Sequence, residues 1–242
     1  MTGWPADDNI LCFAGDCVDR GSWGVEVFVV ILALKLCKPR CVVLLRGNHE
    51  STGCTARYGF RNEVLRKYDE RVLLTFFKTF NEIPSPLVPG ERRILVLHGG
   101  LFRSWKSPKK GSMALGNLND LAETRRQLSD PQHCILEDVL WSDPQIDASD
   151  VALNVLRGAG ILFGNGAAES FFRRNNLHGL IRAHEGPDMR EKREGMDDML
   201  GGYSVDIELI SSFVATVFSA ADYRKCHPMQ PTSLCSPDSP LL

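Results

Sequence analysis

The sequence lacks two features that would point to a specialised class of protein. It has no excess of charge of either sign, because 28 Lys and Arg residues face 30 Asp and Glu residues for a net charge of −2. This balance argues against binding nucleic acid through a bulk positive potential. The longest apolar run covers only residues 27–34, far short of the roughly 20 residues that a membrane-spanning helix needs. Neither a nucleic-acid partner nor a membrane is therefore expected.

The cysteines also lack any pattern. The chain has eight of them, but no two form a C-x-x-C pair, and their spacing does not make a regular framework. Several lie inside apolar runs, where a free cysteine behaves as a small hydrophobic residue. A reduced, intracellular protein, cytoplasmic or nuclear, is the prediction that fits this usage.

What the sequence does contain is typical of a globular chain. Of its 242 residues, 43% are hydrophobic and 24% are charged, which excludes disordered, collagen-like and coiled-coil classes. The length fits one α/β domain, predicted over residues 1–226. Residues 227–242 are rich in Pro and Ser and are predicted to be a disordered tail.

Four short apolar segments are predicted to be strands buried in the core, and each ends in a polar loop. In α/β folds ligands bind beyond the carboxyl ends of the strands, where loops from several strands converge. Asp16, Asn48, His98 and His184 stand just after the predicted strands at residues 9–14, 41–45, 93–97 and 179–182. Residues 25–37 are predicted to form a buried helix, 57–67 and 70–80 two more helices, and 214–218 a further strand.

The residues at the strand ends form a coherent ligand set. One carboxylate, one amide oxygen and two imidazoles form a ligand set that suits Mn, Fe or Zn. It does not resemble a zinc site built from thiolates. A carboxylate can bridge two ions roughly 3.5–4 Å apart, which together polarise a phosphate and activate a water. A single histidine is more often structural than a metal ligand. The prediction of a metal site therefore depends on the repeated placement of these residues at strand ends.

The loops themselves hold further candidates. Asp19 and Arg20 lie between two glycines of the segment 15–21, so Asp19 can orient an imidazole and Arg20 can bind phosphate oxygens in a bidentate manner. His49, next to Asn48, is placed to protonate a leaving oxygen as general acid. As an isolated motif, Asp-x-x-Asp-Arg is more typical of a solvated turn with a surface ion pair than of a functional site. The charged run at residues 190–194 is predicted to be a solvated face.

Six motifs in a fixed order strongly resemble the PPP family of metal-dependent serine/threonine protein phosphatases. Two longer segments, 100–104 and 184–193, look in addition like the plant and algal protein phosphatase 7 branch of that family. The six motifs are Gly15-Asp16-Cys-Val-Asp-Arg-Gly21, Leu45-Arg-Gly-Asn-His-Glu50, His98-Gly-Gly-Leu101, Leu140-Trp-Ser-Asp-Pro144, Arg182-Ala-His184 and Phe218-Ser-Ala-Ala-Asp-Tyr223.

The resemblance implies an α/β metallophosphatase (calcineurin-like) fold of two packed β-sheets flanked by helices. It also implies hydrolysis of phosphoserine and phosphothreonine in proteins by a water activated at a dinuclear metal centre. Phosphorylated proteins would be the substrates, and a regulatory protein a further partner. The implied roles are Asp16 bridging two ions, Asn48, His98 and His184 completing the second ion's ligands, His49 as general acid oriented by Asp19, and Arg20, Arg157 and Tyr223 at the phosphate.

The chain also departs from the family pattern. The family's first motif, Gly-Asp-x-His-Gly, is not found before Asp16, and residues 227–242 look unrelated to the strands that usually follow the Tyr223 loop. The chain is thus expected to be short at both ends. Only the second ion's site is expected to have its full set of protein ligands, and activity of this chain is expected to be weak or absent.

Two rival functions follow from the same residues. The first is a non-catalytic pseudophosphatase that binds phosphorylated partners through Arg20 and Arg157. The second is a metallophosphoesterase that acts on small phosphate esters. The segment 103–137 and the motif at residues 141–144 favour the protein phosphatase.

Overall fold

The computed structural model describes residues 3–88, 93–106, 113–124, 133–146, 150–196, 199 and 201–220. Strands and helices alternate along much of the chain, as predicted for an α/β domain. The strands are β1 (Leu11–Phe13), β2 (Val42–Leu44), β3 (Pro86–Leu87), β4 (Ile94–Leu97), β5 (Asp143–Pro144), β6 (Val151–Leu153), β7 (Ile161–Phe163), β8 (Gly179–Arg182), β9 (Tyr203–Glu208) and β10 (Phe213–Val217). The helices are α1 (Gly24–Cys37), α2 (Thr52–Tyr58), α3 (Phe60–Lys67), α4 (Glu70–Glu82), α5 (Leu118–Glu123), α6 (His133–Trp141), α7 (Asn165–Asn175) and α8 (Pro187–Arg190).

The strands of the described residues form three hydrogen-bonded sheets where two were predicted. The largest has the order β3-β4-β8-β10-β9, and its three central strands are parallel. Strands β1 and β2 form a parallel pair, and β5, β7 and β6 form a small mixed sheet. Because parallel strands end at the same edge, the loops after β1 and β2 meet, and so do those after β4 and β8.

Two apolar clusters hold these layers together. In the first, α1, α3 and α4 pack around Phe28, Phe60, Phe76 and Phe80, whose ring centroids lie 5.1–6.3 Å apart. The second joins the central sheet to helices α6 and α7. Both clusters lie beneath strands that end at the polar loops, so they fix the positions of those loops.

The helix predicted over residues 57–67 is instead two helices. Gly59 separates α2 from α3 with a φ of 116°, a left-handed conformation that glycine adopts without steric cost. Periodicity alone does not show such a break, because the apolar residues on both sides keep a helical spacing.

Two elements predicted to be buried are only partly so. Helix α1 buries Val25, Phe28 and Ile31, whereas Val30 on its other face is 57% exposed. Strand β1 has a partner on one side only among the described residues. None of the helices in the described parts of the chain is long and apolar enough to span a bilayer.

Part of the charged run at residues 190–194, predicted to be solvated, is buried. Arg190 of α8 forms a bidentate ion pair with Asp206 of β9, at 2.7 and 2.9 Å. Ser204 and Thr216 donate hydrogen bonds to the same carboxylate. Burial alone would raise the pKa of Asp206, but these partners outweigh it and hold the pKa below its ordinary value.

This lowered pKa predicts how Asp206→Asn changes stability with pH. The native carboxylate stabilises the fold above the unfolded-state pKa of about 4, and this contribution is lost as the pH falls towards the native pKa. We expect D206N to lower the free energy of unfolding by about 3 kcal/mol at pH 7, with a smaller difference below about pH 4. Urea unfolding of D206N and the wild type at pH 7 and below about pH 4 measures this difference in the free energy of unfolding. An equal difference at the two pH values would contradict the ion pair.

The predicted division into a domain over residues 1–226 and a tail over 227–242 stays a prediction. Residues 221–242 lie outside the part of the chain that the structure describes.

Candidate metal and phosphate site

The loop that carries Asp16 has an unusual backbone. Asp16, Asp19 and Arg20 have φ values of 56°, 69° and 55°, in the left-handed region that non-glycine residues rarely adopt. Residues held in this way cluster at functional sites, where the surrounding structure enforces them. The loop after β1 therefore combines backbone strain with the side chains predicted to be functional.

The loops after β1 and β2 pack backbone against backbone. A Cβ atom at Gly47 would lie 2.3 Å from Asp16 Oδ1, and one at Gly15 would lie 2.4 Å from the Gly47 nitrogen. Both positions therefore require glycine, because the two loops approach too closely to leave room for a Cβ atom. This contact brings Asp16 and the residue after Gly47, Asn48, to the same place.

Glu50 joins the two loops, a role that no sequence pattern predicts. Its buried carboxylate accepts hydrogen bonds from the backbone N–H groups of Asp16, Cys17 and Gly47 at 2.9, 2.7 and 2.7 Å. Burial, together with the charge of Asp16, raises the pKa of Glu50. The carboxylate thus fixes the Asp16 loop relative to Asn48.

The four predicted metal ligands converge. Asn48 Oδ1 lies 2.9 Å from His98 Nε2 and 2.8 Å from His184 Nδ1, and these two nitrogens are 3.1 Å apart. Asp16 Oδ1 lies 3.3 Å from His98 Nε2. Ligand atoms about 2.1 Å from an ion and at right angles to each other would be about 3 Å apart. The four side chains therefore fit a divalent ion.

The protonation of these groups fits the same ion. His98 Nδ1 lies 2.7 Å from the carbonyl oxygen of Ala14, so Nδ1 carries the proton and Nε2 presents a lone pair. Burial and the charge of Arg157 hold the pKa of His184 well below its ordinary value, so its imidazole is neutral. Burial opposes ionisation of Asp16, but the charge of His49 and the hydrogen bond from its backbone N–H favour the carboxylate, and the pKa of Asp16 lies below its ordinary value.

His49 stands beside this cluster and is held by Asp19. Nδ1 of His49 lies 2.7 Å from Asp19 Oδ2, and Asp19 Oδ1 accepts a hydrogen bond from the Phe60 N–H at 2.8 Å. Burial would lower the pKa of His49, but the charges of Asp16 and Asp19 outweigh it and raise the pKa. His49 Nε2 lies 3.9 Å from Asp16 Oδ2, so a protonated ring nitrogen faces the cluster.

Arg157 is held by Asp143, another residue whose role no sequence pattern predicts. Its Nε donates to Asp143 Oδ2 at 3.0 Å, and its backbone N–H donates to Asn154 Oδ1 at 3.3 Å. Its buried Nη2 has no hydrogen-bond partner within the described residues. Val155 and Leu156 are exposed and do not hold it. Arg157 thus has a spare donor for an anion near His184.

Arg20 flanks the site on the side of His49. Its guanidinium carbon lies 5.3 Å from the centre of the Tyr58 ring, and that ring lies 4.9 Å from the imidazole of His49. The charge of Arg20 also acts to lower the pKa of His49, as expected for two groups that contact the same ring. Tyr223, the third residue predicted at the phosphate, lies outside the described residues.

The structure therefore gathers most of the predicted site residues and adds two carboxylates that support them. A buried carboxylate paired with distant residues has no sequence signal of its own, so neither Glu50 nor Asp143 is predicted from the sequence. Asp16, Asn48, His98, His184, His49 and Asp19 form one cluster, which Arg20 and Arg157 flank.

Comparison with known proteins agrees with this geometry. The chain is 41% identical to serine/threonine-protein phosphatase 7 of Arabidopsis thaliana over 247 residues, covering 92% of this chain and 59% of that protein. It is 34% identical to serine/threonine-protein phosphatase 5 of Homo sapiens over 224 residues, covering 92% of this chain and 39% of that protein. The chain thus spans less than two thirds of the length of either relative.

A solved structure agrees as well. A protein serine/threonine phosphatase from Saccharomyces cerevisiae, described as similar to human phosphatase PP5, superposes with a TM-score of 0.72 at 30% identity. The alignment covers 91% of this chain and 61% of the yeast chain. Together with the plant relative, it confirms the predicted fold class and the similarity to PPP phosphatases and their protein phosphatase 7 branch.

The sequence model of one family matches residues 4–188. This range contains the loops after β1, β2, β4 and β8, and with them the whole cluster around Asp16. The family implies divalent metals, and Asp16, His98 and His184 form a partial metal-binding site. The chain belongs to the calcineurin-like phosphoesterase family.

Proposed function

We propose that the chain hydrolyses phosphoserine and phosphothreonine in proteins, in a metal-dependent reaction. One observation carries this proposal: the ligand set of Asp16, Asn48, His98 and His184 lies beside a buried histidine–aspartate pair, His49 and Asp19. The first set suits a hard or borderline cation, and the pair suits proton transfer. The plant and human relatives are named serine/threonine-protein phosphatases, which supports phosphoproteins as the substrate class.

We propose Mn, Fe or Zn as the metal. When bound, such ions polarise the phosphate and lower the pKa of a water molecule that attacks it. Within the described residues, Asp16, Asn48, His98 and His184 would supply the donors for one such ion. A second ion would share Asp16 with the first. The purified chain is therefore expected to retain one tightly held ion per molecule.

The protein side chains supply the rest of the chemistry. Asp19 holds Nδ1 of His49, so the proton on Nε2 is available to the serine or threonine oxygen as the P–O bond breaks. Arg20 and Arg157 bind the non-bridging oxygens of the phosphate dianion, and Tyr223 is proposed to contact it as well. Fixed cationic donors of this kind stabilise the charge of the transition state without reorganisation.

The proposal includes partners and location. We propose phosphorylated proteins as substrates, a regulatory protein as a further partner, and an intracellular location in the cytoplasm or nucleus. The reduced cysteines of the described residues support this location.

Asp143→Asn is predicted to act through Arg157. The substitution keeps the shape of Asp143 but removes the charge that pairs with the Arg157 guanidinium, so we expect kcat/KM for a phosphopeptide to fall about tenfold. A double-mutant cycle separates this role from a general loss of structure. In an Arg157→Gln background, D143N is expected to lower kcat/KM by less than it does in the wild-type chain, with the remaining loss coming from the Asp143–Arg182 ion pair, and an undiminished loss in that background would contradict the prediction.

Phosphate release by the purified chain tests the proposed function. With Mn²⁺ present, we expect a phosphoserine peptide to be hydrolysed faster than by Asp16→Asn, and a chelator to abolish the difference. Binding of the phosphopeptide with no such difference would favour a pseudophosphatase and contradict the proposal. Hydrolysis of small phosphate esters alone would contradict phosphoproteins as the substrate.

A further inference from the structure

His184 has a strained backbone for a metal ligand. Its φ is 70°, and the N–H of the next residue, Glu185, donates to the carbonyl of Ala183 at 2.8 Å. This bond closes a three-residue γ-turn with His184 at its centre, and γ-turns with a positive φ are rare and strained. Something outside the turn must therefore hold it, because a strained conformation persists only where the surrounding structure enforces it.

The side chain of Glu185 is tied to three arginines. Its carboxylate is fully buried, and Oε2 lies 2.8 Å from Arg182 Nη1 and 3.3 Å from Arg190 Nη2. Arg193 Nη1 donates to Oε1. Such an arrangement of a buried carboxylate among cations resists displacement, because any movement leaves buried charges unpaired.

These arginines belong to separate parts of the fold. Arg182 ends β8 and also pairs with Asp143 at 2.8 Å. Arg190 ends α8 and pairs with Asp206 of β9. Arg193 lies beyond α8 and also donates to the carbonyl of Pro144, at the end of β5. The carboxylate next to His184 is therefore fixed to the central sheet, the small sheet and helix α8 together.

We propose that Glu185 is the positioning residue for His184, and that its pairing with three arginines holds the imidazole in the orientation that binds the metal. This rests on the metal site of the proposed function. Glu185, Arg190 and Arg193 all come from segment 184–193, so the charged segment after His184 serves the metal site directly. Glu185 itself lies outside the ligand set, because its carboxylate is bound by arginines.

Metal affinity measured without turnover tests this role. Removing a group that orients a metal ligand typically weakens metal binding 10–100-fold, so Glu185→Gln is expected to raise the Mn²⁺ dissociation constant by about 10–100-fold. Mn²⁺ titration of the full chain followed by electron paramagnetic resonance measures it. The matched control is Asp138→Asn, which breaks a buried carboxylate–arginine pair outside this network, because Asp138 pairs with Arg103 at 2.7 Å. D138N is expected to lower the unfolding temperature while leaving the Mn²⁺ dissociation constant within about twofold of the wild type.

A second variant keeps the test decisive if E185Q does not fold. Arg193→Gln removes one of the three cations and leaves the carboxylate paired, so we expect a smaller loss of Mn²⁺ affinity, about threefold to tenfold. Unchanged affinity in the folded variants, or an equal loss in D138N, would overturn the positioning role. A wild-type chain that binds Mn²⁺ but hydrolyses no phosphopeptide would refute the proposed function and leave this role intact.

Discussion

Replacing His49 by asparagine is expected to lower kcat for a phosphoserine peptide by about 10²–10⁴-fold, the range of a lost general acid. The serine oxygen is a poor leaving group and needs the proton that His49 Nε2 carries. With p-nitrophenyl phosphate the loss is expected to be much smaller, because nitrophenolate leaves without a proton. The ratio of the two losses thus reports proton transfer rather than damage to the site.

The control for this variant is His178→Asn, which changes an exposed histidine remote from the cluster. It is expected to leave both rates unchanged. Equal losses of His49→Asn on the two substrates would contradict the role of His49 as general acid. Thermal unfolding of both variants shows whether the fold is kept when Asp19 loses its imidazole partner.

Asp16→Asn is expected to have the largest effect on metal binding. The amide keeps the shape of the side chain, and its oxygen can still accept the hydrogen bond that the His49 N–H donates at 3.0 Å. It removes, however, the negative charge of the ligand set. Changes to groups that only orient ligands cost 10–100-fold in affinity, so for a ligand itself we expect Mn²⁺ to bind more than about 100-fold more weakly.

Phosphatase activity of Asp16→Asn is expected to fall to the level without metal. Asp8→Asn serves as the matched control, because Asp8 is an exposed aspartate of the same chain. Isothermal titration with Mn²⁺ measures the affinity of both variants. Affinity of Asp16→Asn within a few-fold of the wild type would show that the ion lies elsewhere.

The ligand set was predictable because of where its members stand in the chain. Asp16, Asn48, His98 and His184 each follow an apolar strand, and parallel strands place their carboxyl ends together. The order of the motifs then indicated roles for His49 and Asp19. The structure brings these side chains within hydrogen-bond distance of one another, and their roles stay predictions.

The supporting carboxylates were not predictable in this way. The main partners of Glu50 and Asp143 lie far away in the sequence. Two of the arginines that pair with Glu185 lie in a run of charges. The burial of these carboxylates depends on tertiary contacts, whereas a charged run considered alone indicates a solvated face. The prediction of a solvated face at residues 190–194 is wrong for this reason, because Arg190 and Arg193 pair with buried carboxylates.

The break between α2 and α3 could not be predicted from the sequence pattern either. A single glycine within a helical periodicity lowers helix stability but does not require an interruption. In this fold Gly59 takes a φ of 116°, and the turn places the N–H of Phe60 on Asp19. The break therefore serves the orientation of Asp19, which only the folded structure reveals.

The location of the ion tests the central claim most directly. A crystal structure of the 242-residue chain grown with Mn²⁺, with anomalous scattering used to locate the metal, is predicted to show an ion bound by Asp16, Asn48 Oδ1, His98 Nε2 and His184 Nδ1. An ion held by other residues, or no anomalous peak between these four side chains at saturating Mn²⁺, would contradict it.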